Sequence, residues 1–167
     1  MKVSPLSRLP VAILFVFVAV ALDQMIKAAV EYFLPFHRAV EVLPFLALYR
    51  TYNLGIAFSM FSDANGYLIV GARIIIVAFV SWFWWRSDAR RSLLQLGLAL
   101  IVSGALGNII DRFVYGHVID YVLFHVGNWS FAVFNLADSF ITIGAVLVFL
   151  DEFLLGLSGK KNAKEES

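Results

Sequence analysis

The stretch LLQLGLALIVSGALGNII, residues 93–110, carries no charged side chain until it closes on Asp111 and Arg112. It is longer than a strand needs to be, and it lacks the polar face of a surface helix. About 20 such residues in a helix cross the hydrocarbon core of a bilayer, and an open sheet cannot. Three more runs of this kind lie on either side of it. They are residues 9–30, interrupted by Asp23, Gln24 and Lys27, then residues 66–85, and residues 134–157. The sequence therefore predicts an all-α membrane protein, a bundle of four transmembrane helices. A single domain covers residues 1–157, and the small, charged tail at 158–167 is expected to be disordered. Composition agrees: 61% of the 167 residues are hydrophobic and 16% aromatic, where a soluble domain runs to about half apolar.

Lysine and arginine set the orientation. Lys2 and Arg8 precede the first span, Arg86, Arg90 and Arg91 separate the second from the third, and Lys160, Lys161 and Lys164 follow the fourth. These segments belong on the cytoplasmic side with both termini. The outer side then holds two connections, residues 31–65 and 111–133. The basic start, the apolar run and Ala19-Val20-Ala21 together mimic a cleavable leader, but apolar and amphipathic character continues to Val30. A retained first helix also gives an even number of spans with both basic ends inside. In the first connection the aromatic-rich residues 45–61, with Asn53 and Gly55, predict a short extended structure on the membrane surface. A net charge of +1 gives no reason to expect a nucleic-acid partner. With no cysteine, disulfides, thiolate metal sites and a cysteine nucleophile are excluded.

Polar side chains inside an apolar span are costly and mark candidate sites. Asp23 and Lys27 are four apart on one helix face, acid first, the better order for a pair. They read first as a structural ion pair closing the bundle. Arg73, one to two turns into the second span, reads as an anchor snorkelling outward. Ala99, Ser103 and Gly107 form a small-residue stripe suited to close helix packing, with Asn108 and Arg112 read as its outward extension. Asn135, Asp138 and Thr142 make one polar stripe at the start of the fourth span. Asn135 suits a helix cap, and Asp138 suits the helix dipole. Asp120, in Gly116-His117-Val118-Ile119-Asp120-Tyr121, falls in a connection, where an aspartate is more often a solvated surface residue.

The three histidines, His37, His117 and His125, include no pair one helical turn apart, so zinc hydrolysis lacks its ligands. There is no serine flanked by glycines as in a hydrolase elbow, no partner serine marked for Lys27, and no glycine-rich phosphate loop. A carboxylate pair remains. Two acids sharing a proton activate water and protonate a leaving amine without any cofactor.

Several segments, in order, resemble the motifs of bacterial lipoprotein signal peptidase, the signal peptidase II family. They are Asp23-Gln24-Met25-Ile26-Lys27, Tyr52-Asn53-Leu54-Gly55-Ile56-Ala57-Phe58, Gly104-Ala105-Leu106-Gly107-Asn108 with Asp111-Arg112, Val118-Ile119-Asp120-Tyr121, and Phe134-Asn135-Leu136-Ala137-Asp138-Ser139. The resemblance spans nearly the whole chain. It implies catalytic aspartates at Asp120 and Asp138, supported by Asp23, Lys27, Asn53, Gly55, Asn108, Arg112 and Asn135. It also implies a small extracytoplasmic β-cradle and an amphipathic helix beside the four-helix bundle. The implied reaction removes the signal peptide of a diacylglyceryl-modified prolipoprotein, on the N-terminal side of the lipidated cysteine. It takes place at the outer face of the bacterial inner membrane, with membrane lipid, no cofactor and no metal, in a monomer. Leu54, Ile56 and Ile26 depart from the residues usual in the family, threonine, alanine and often serine. Two other classes compete with this reading, a small transporter and a non-catalytic membrane scaffold. A carrier needs its polar groups near the midplane, whereas here they gather at one rim.

Overall fold

The structure is a computed structural model that describes residues 3–54, 66–127 and 129–165, without the side chains of 66–70 and 157–165. Four helices and one small sheet follow in the order α1 (Leu9–Phe33), β1 (Ala39–Leu43), β2 (Leu46–Asn53), α2 (Gly66–Arg86), α3 (Ser92–Tyr115), β3 (Val118–Val126), β4 (Trp129–Ser130) and α4 (Leu136–Glu165). Among the described residues, Leu9–Phe33, Ser92–Tyr115 and Leu136–Gly156 are long and apolar enough to cross a membrane.

Helix α3 is the centre of the bundle. Its most apolar window is 61% buried, against 11% for α1 and 6% for α4, so the outer helices turn most of their apolar surface outward. Phe17, Ile75 and Phe149 are examples of such exposed side chains, as expected where lipid is the solvent. The close approach of α3 and α4 depends on glycine. A Cβ on Gly97 would lie 2.7 Å from the Gly144 carbonyl, and one on Gly144 would lie 2.5 Å from the Gly97 carbonyl. A Cβ on Gly104 would collide with the Ala137 carbonyl. The small residues therefore form two stripes, where the sequence suggests one. Gly97 and Gly104 face α4, and Asn108 continues their line. Gly107 faces Asp23 of α1, and a Cβ there would lie 2.5 Å from a carboxylate oxygen. Asp111 continues that second line.

Helix α3 runs five residues past its expected end, so Asp111 and Arg112 are helical. It stops at Gly116, whose φ of 76° is the left-handed cap conformation glycine takes without strain. Helix α4 likewise continues to Glu165, through the stretch expected to be disordered. Adding a residue to an existing helix costs far less than starting one, and Lys and Ala there are good helix formers.

The sheet has the order β1-β2-β3-β4 and is antiparallel throughout. Strand β2 carries out the extended structure expected near residue 45, but its partner β3 corrects the reading of residues 111–133 as a plain connection. Asp120 therefore lies on a strand, paired opposite Thr51. Val118, Ile119, Asp120 and Tyr121 are all buried, so the run lacks the alternation by which a strand is recognised. Ile119 and Tyr121 pack with Val30 at the end of α1. The amphipathic helix expected in the first connection has no counterpart among residues 34–54. Residues 55–65, which include Gly55 and Ile56, lie outside the described residues.

Replacing Gly104 by Ala is expected to destabilise the bundle by about 1–3 kcal/mol, the usual cost of overpacking. The same change at Gly71, where a Cβ meets nothing within 4 Å, is expected to cost nothing. Unfolding in mixed micelles measures both.

Candidate active site

Lys27 is 1% exposed, and its ammonium group is satisfied entirely by other buried groups. It contacts Asp23 Oδ2 at 2.8 Å and Asp111 Oδ2 at 2.7 Å, and donates to Asn108 Oδ1 at 3.2 Å. Gln24 donates to Asp111 Oδ1 at 2.7 Å and to the Gly107 carbonyl at 3.2 Å. A buried charge is tolerated only when paired and hydrogen-bonded, and this cluster meets both conditions.

Two bonds run from the cluster into the elements that carry the other acids. Asp111 Oδ2 accepts the Ile119 N–H at 3.3 Å, which fixes the first residues of β3. Asp23 Oδ1 accepts the Ala137 N–H at 3.1 Å, which caps the first turn of α4. Strand β3 is also bonded directly to the entry of α4. The Phe134 carbonyl accepts from the Tyr121 and Val122 N–H groups at 3.0 and 2.8 Å, and the Phe134 N–H donates to the Val122 carbonyl at 3.0 Å. Asp120 and Asn135, one residue beyond these pairings on either side, are brought together as a result.

Asn135 Nδ2 donates to Asp120 Oδ1 at 2.7 Å and to Asn108 Oδ1 at 3.2 Å. Asn108 Nδ2 donates to Asp138 Oδ1 at 2.8 Å. Asn135 and Asp138 also cap each other. The Asp138 N–H donates to Asn135 Oδ1 at 2.9 Å, and the Asn135 N–H donates to Asp138 Oδ2 at 3.3 Å. That reciprocal pattern is a capping box with aspartate in the glutamate's place. Asn53 Nδ2 at the end of β2 donates to Asp120 Oδ2 at 3.0 Å. Two acids from different elements are thus joined through two amides, with Lys27 bonded to one of those amides.

Asp120 is 2% exposed. Burial pushes its carboxyl up to about 6, and the negative charge of Asp138 adds to that, while the Asn53 and Asn135 amides and Lys27 pull against it. Arg112 has one buried guanidinium nitrogen, Nη1, with no hydrogen-bond partner among the described residues. Arg73, half-buried, lies within electrostatic reach of Asp138 and Arg112, so it reaches this end of the bundle where the sequence suggests only an anchor. Beside Asp138 lies an apolar recess of about 740 Å³, lined by Phe124, Trp129, Phe131, Phe134, Thr142 and Ile143 among others.

Of the residues singled out in the sequence, Asp23, Lys27, Asn53, Asn108, Asp120, Asn135 and Asp138 all join this one network. Arg112 sits at its edge, and Gly55 is outside the described residues. Asp111 and Gln24, noted in the sequence, were not among the expected site residues, although they complete the buried cluster. The four-residue repeat Ala99, Ser103, Gly107, Asp111 carries the signal for the first. Gln24, adjacent to Asp23 in an apolar run, carries a signal of its own.

The network gathers acids and amides at one end of an apolar bundle, and among the described residues no group of three or more His, Cys, Asp or Glu side chains could hold a metal ion. The family profile described as "Signal peptidase (SPase) II" matches residues 15–154, and the chain belongs to that family of membrane endopeptidases. A lipoprotein signal peptidase of Sinorhizobium fredii is 60% identical over 146 residues, 87% of each chain. One of Mesorhizobium japonicum is 53% identical over 151 residues, 90% of each. A solved structure described as a bacterial membrane enzyme, determined by the in meso method at 2.3 Å, superposes with a TM-score of 0.80. It has 29% identity and covers 95% of this chain and 94% of its own.

Two outcomes are expected of this network. Lys27→Met strands the Asp23 and Asp111 carboxylates without a counter-charge, and should cost about 3–5 kcal/mol of stability, read from unfolding in mixed micelles. Asp120 binds its proton more tightly in the folded chain than in the unfolded one. Its contribution is therefore fully present below about pH 4 and lost as pH rises through about 6, amounting to about 2–3 kcal/mol. The stability difference between wild type and Asp120→Asn, measured from pH 4 to 8, should drift by that amount in the direction that disfavours the wild type at high pH. A pH-independent difference would contradict it.

Proposed function

We propose that Asp120 and Asp138 are the catalytic pair of an aspartic endopeptidase. It removes the signal peptide from diacylglyceryl-modified prolipoproteins, on the N-terminal side of the lipidated cysteine. Family membership supports the peptidase activity and the prolipoprotein substrate. The observation that carries the assignment of the acids is the chain Asp120–Asn135–Asn108–Asp138, which joins two carboxylates of different elements beside a recess large enough for substrate.

In the reaction, one aspartate takes a proton from water as the water attacks the scissile carbonyl. The other, protonated, polarises that carbonyl and passes its proton to the leaving amine. The pair titrates as a unit, and neither role needs a cofactor. Arg112 Nη1, a buried donor without a partner among the described residues, suits a substrate carbonyl, which would repay the cost of desolvating it. Asn53, Asn108 and Asn135 hold the carboxylates in place, while Asp23 and Lys27 support the elements that carry them. Gly55 belongs with the supporting residues through its motif.

The bundle has four spans in this reading. Helix α2, with 21 residues, reaches about 30 Å at 1.5 Å per residue, the thickness of the hydrocarbon core. Arg8, Arg86, Arg90 and Arg91 place one end in the cytoplasm with both termini. The acids then lie at the extracytoplasmic face, under a β-cradle formed by β1 to β4. The enzyme acts as a monomer in the bacterial inner membrane. The lipid chains of the substrate stay in the bilayer, and that tether raises the effective concentration of the scissile bond.

Purified protein given a lipidated prolipoprotein should cleave it, and Asp120→Asn and Asp138→Asn should each lower turnover by about 10³-fold or more. Cleavage retained by either variant would remove that acid from the pair. Equal cleavage of an unlipidated precursor would remove the lipid requirement.

A further inference from the structure

At the end of α3 opposite the acids, a second cavity of about 440 Å³ opens between the N-terminal segment, α1 and the end of α2. Its volume is that of a ligand pocket. Its apolar wall comes from Leu6, Leu9, Ile13, Val16, Trp84 and Trp85. The polar groups of its floor are already bonded to one another. Trp84 Nε1 donates to Gln95 Oε1 at 2.6 Å, Gln95 Nε2 donates to Ser87 Oγ at 2.9 Å, and Ser87 Oγ donates to the Trp84 carbonyl at 2.7 Å. The space left is suited to hydrocarbon rather than to water, which needs two or more open polar partners.

Three arginines are next in sequence to residues of the cavity wall. Arg8 stands between Ser7 and Leu9, Arg86 between Trp85 and Ser87, and Arg90 follows Ala89, all five of these neighbours being wall residues. The three arginines are exposed, and none has an ion pair among the described residues. Arg91, by contrast, is engaged by Asp151 and Glu152 at 2.5 and 2.6 Å. The one carboxylate in the same turn, Asp88, accepts the Arg90 N–H at 2.8 Å, leaving three cations against one anion. The arrangement is also held in place. The Ser4 N–H donates to the Ala89 carbonyl at 2.8 Å, and Ser4 is buried, so the segment carrying Arg8 is tied to the turn carrying Arg90.

We propose that this cavity is a binding site for an anionic phospholipid, with one acyl chain along the Trp84–Ile13 wall and the headgroup phosphate among Arg8, Arg86 and Arg90. Guanidinium groups match phosphate oxygens in pairs, and basic pockets between membrane helices favour anionic headgroups. The site is separate from the acids and does not rest on their assigned role.

The test is native mass spectrometry of the full-length protein in detergent, titrated with phosphatidylglycerol or phosphatidylcholine of identical acyl chains. Wild type is expected to retain one phosphatidylglycerol, with a preference of at least about fivefold over phosphatidylcholine. Arg8→Gln, Arg86→Gln and Arg90→Gln combined should bring phosphatidylglycerol down to the phosphatidylcholine level. Ala12→Phe, which fills the cavity and keeps the arginines, should lower retention of both lipids. Equal retention of the two lipids, or retention unchanged in both variants, would overturn the proposal. Displacement of the lipid by glycerol phosphate at equal concentration would also overturn it, by pointing to a soluble anion.

Discussion

One ammonium group organises the site end of this protein. Lys27 is buried in an apolar bundle and is held by Asp23 and Asp111. The free oxygens of those acids are not left over. One accepts from Gln24 and one from the first turn of α4, and the oxygen facing Lys27 on Asp111 also accepts from β3. An unpaired carboxylate in hydrocarbon would be very costly, so each member of the cluster holds its neighbours to a narrow geometry. The strand and the helix that bear Asp120 and Asp138 inherit that restriction.

The amide pair Asn108 and Asn135 has a different task. An amide both donates and accepts, so it can join carboxylates that would repel one another if placed in direct contact. Asn108 faces Lys27 with its oxygen and Asp138 with its nitrogen, and Asn135 uses its nitrogen for Asp120 and its oxygen for the backbone of Asp138. The arrangement fixes both carboxylates while leaving the flank of Asp138 open to an apolar recess. Asp138 thus has rigid support on one side and open space on the other.

The helices were legible in the sequence because lipid makes the hydrophobic pattern almost redundant: each span is a long, mostly apolar run with few charges. Asn135 as a helix cap and Asp23 with Lys27 as an ion pair were legible for the same reason, since local spacing decides both. Strand β3 was not, because burial on both faces removes the alternation that marks a strand, and Asp120 consequently read as a connection residue. Asp111 was noted in the sequence beside Arg112 but not given a role, because its partner Lys27 lies on another helix. The two faces of α3 separate only when α1 and α4 are seen to pack on different sides of it. Asp120 and Asp138 were singled out together through the family resemblance rather than by spacing, since the strand pairing that brings Asp120 to Asn135 leaves no local trace.

The bond from Asp23 to the Ala137 N–H joins residues 114 positions apart, and it bears on how the chain matures. During synthesis the first helix leaves the ribosome with an aspartate oxygen whose partner has not yet been translated. The nascent protein therefore carries an incomplete site until its last membrane segment has been made and docked. Assembly of the buried network is thereby coupled to completion of the polypeptide, and a truncated product stalled before residue 137 lacks both the cap and Asp138.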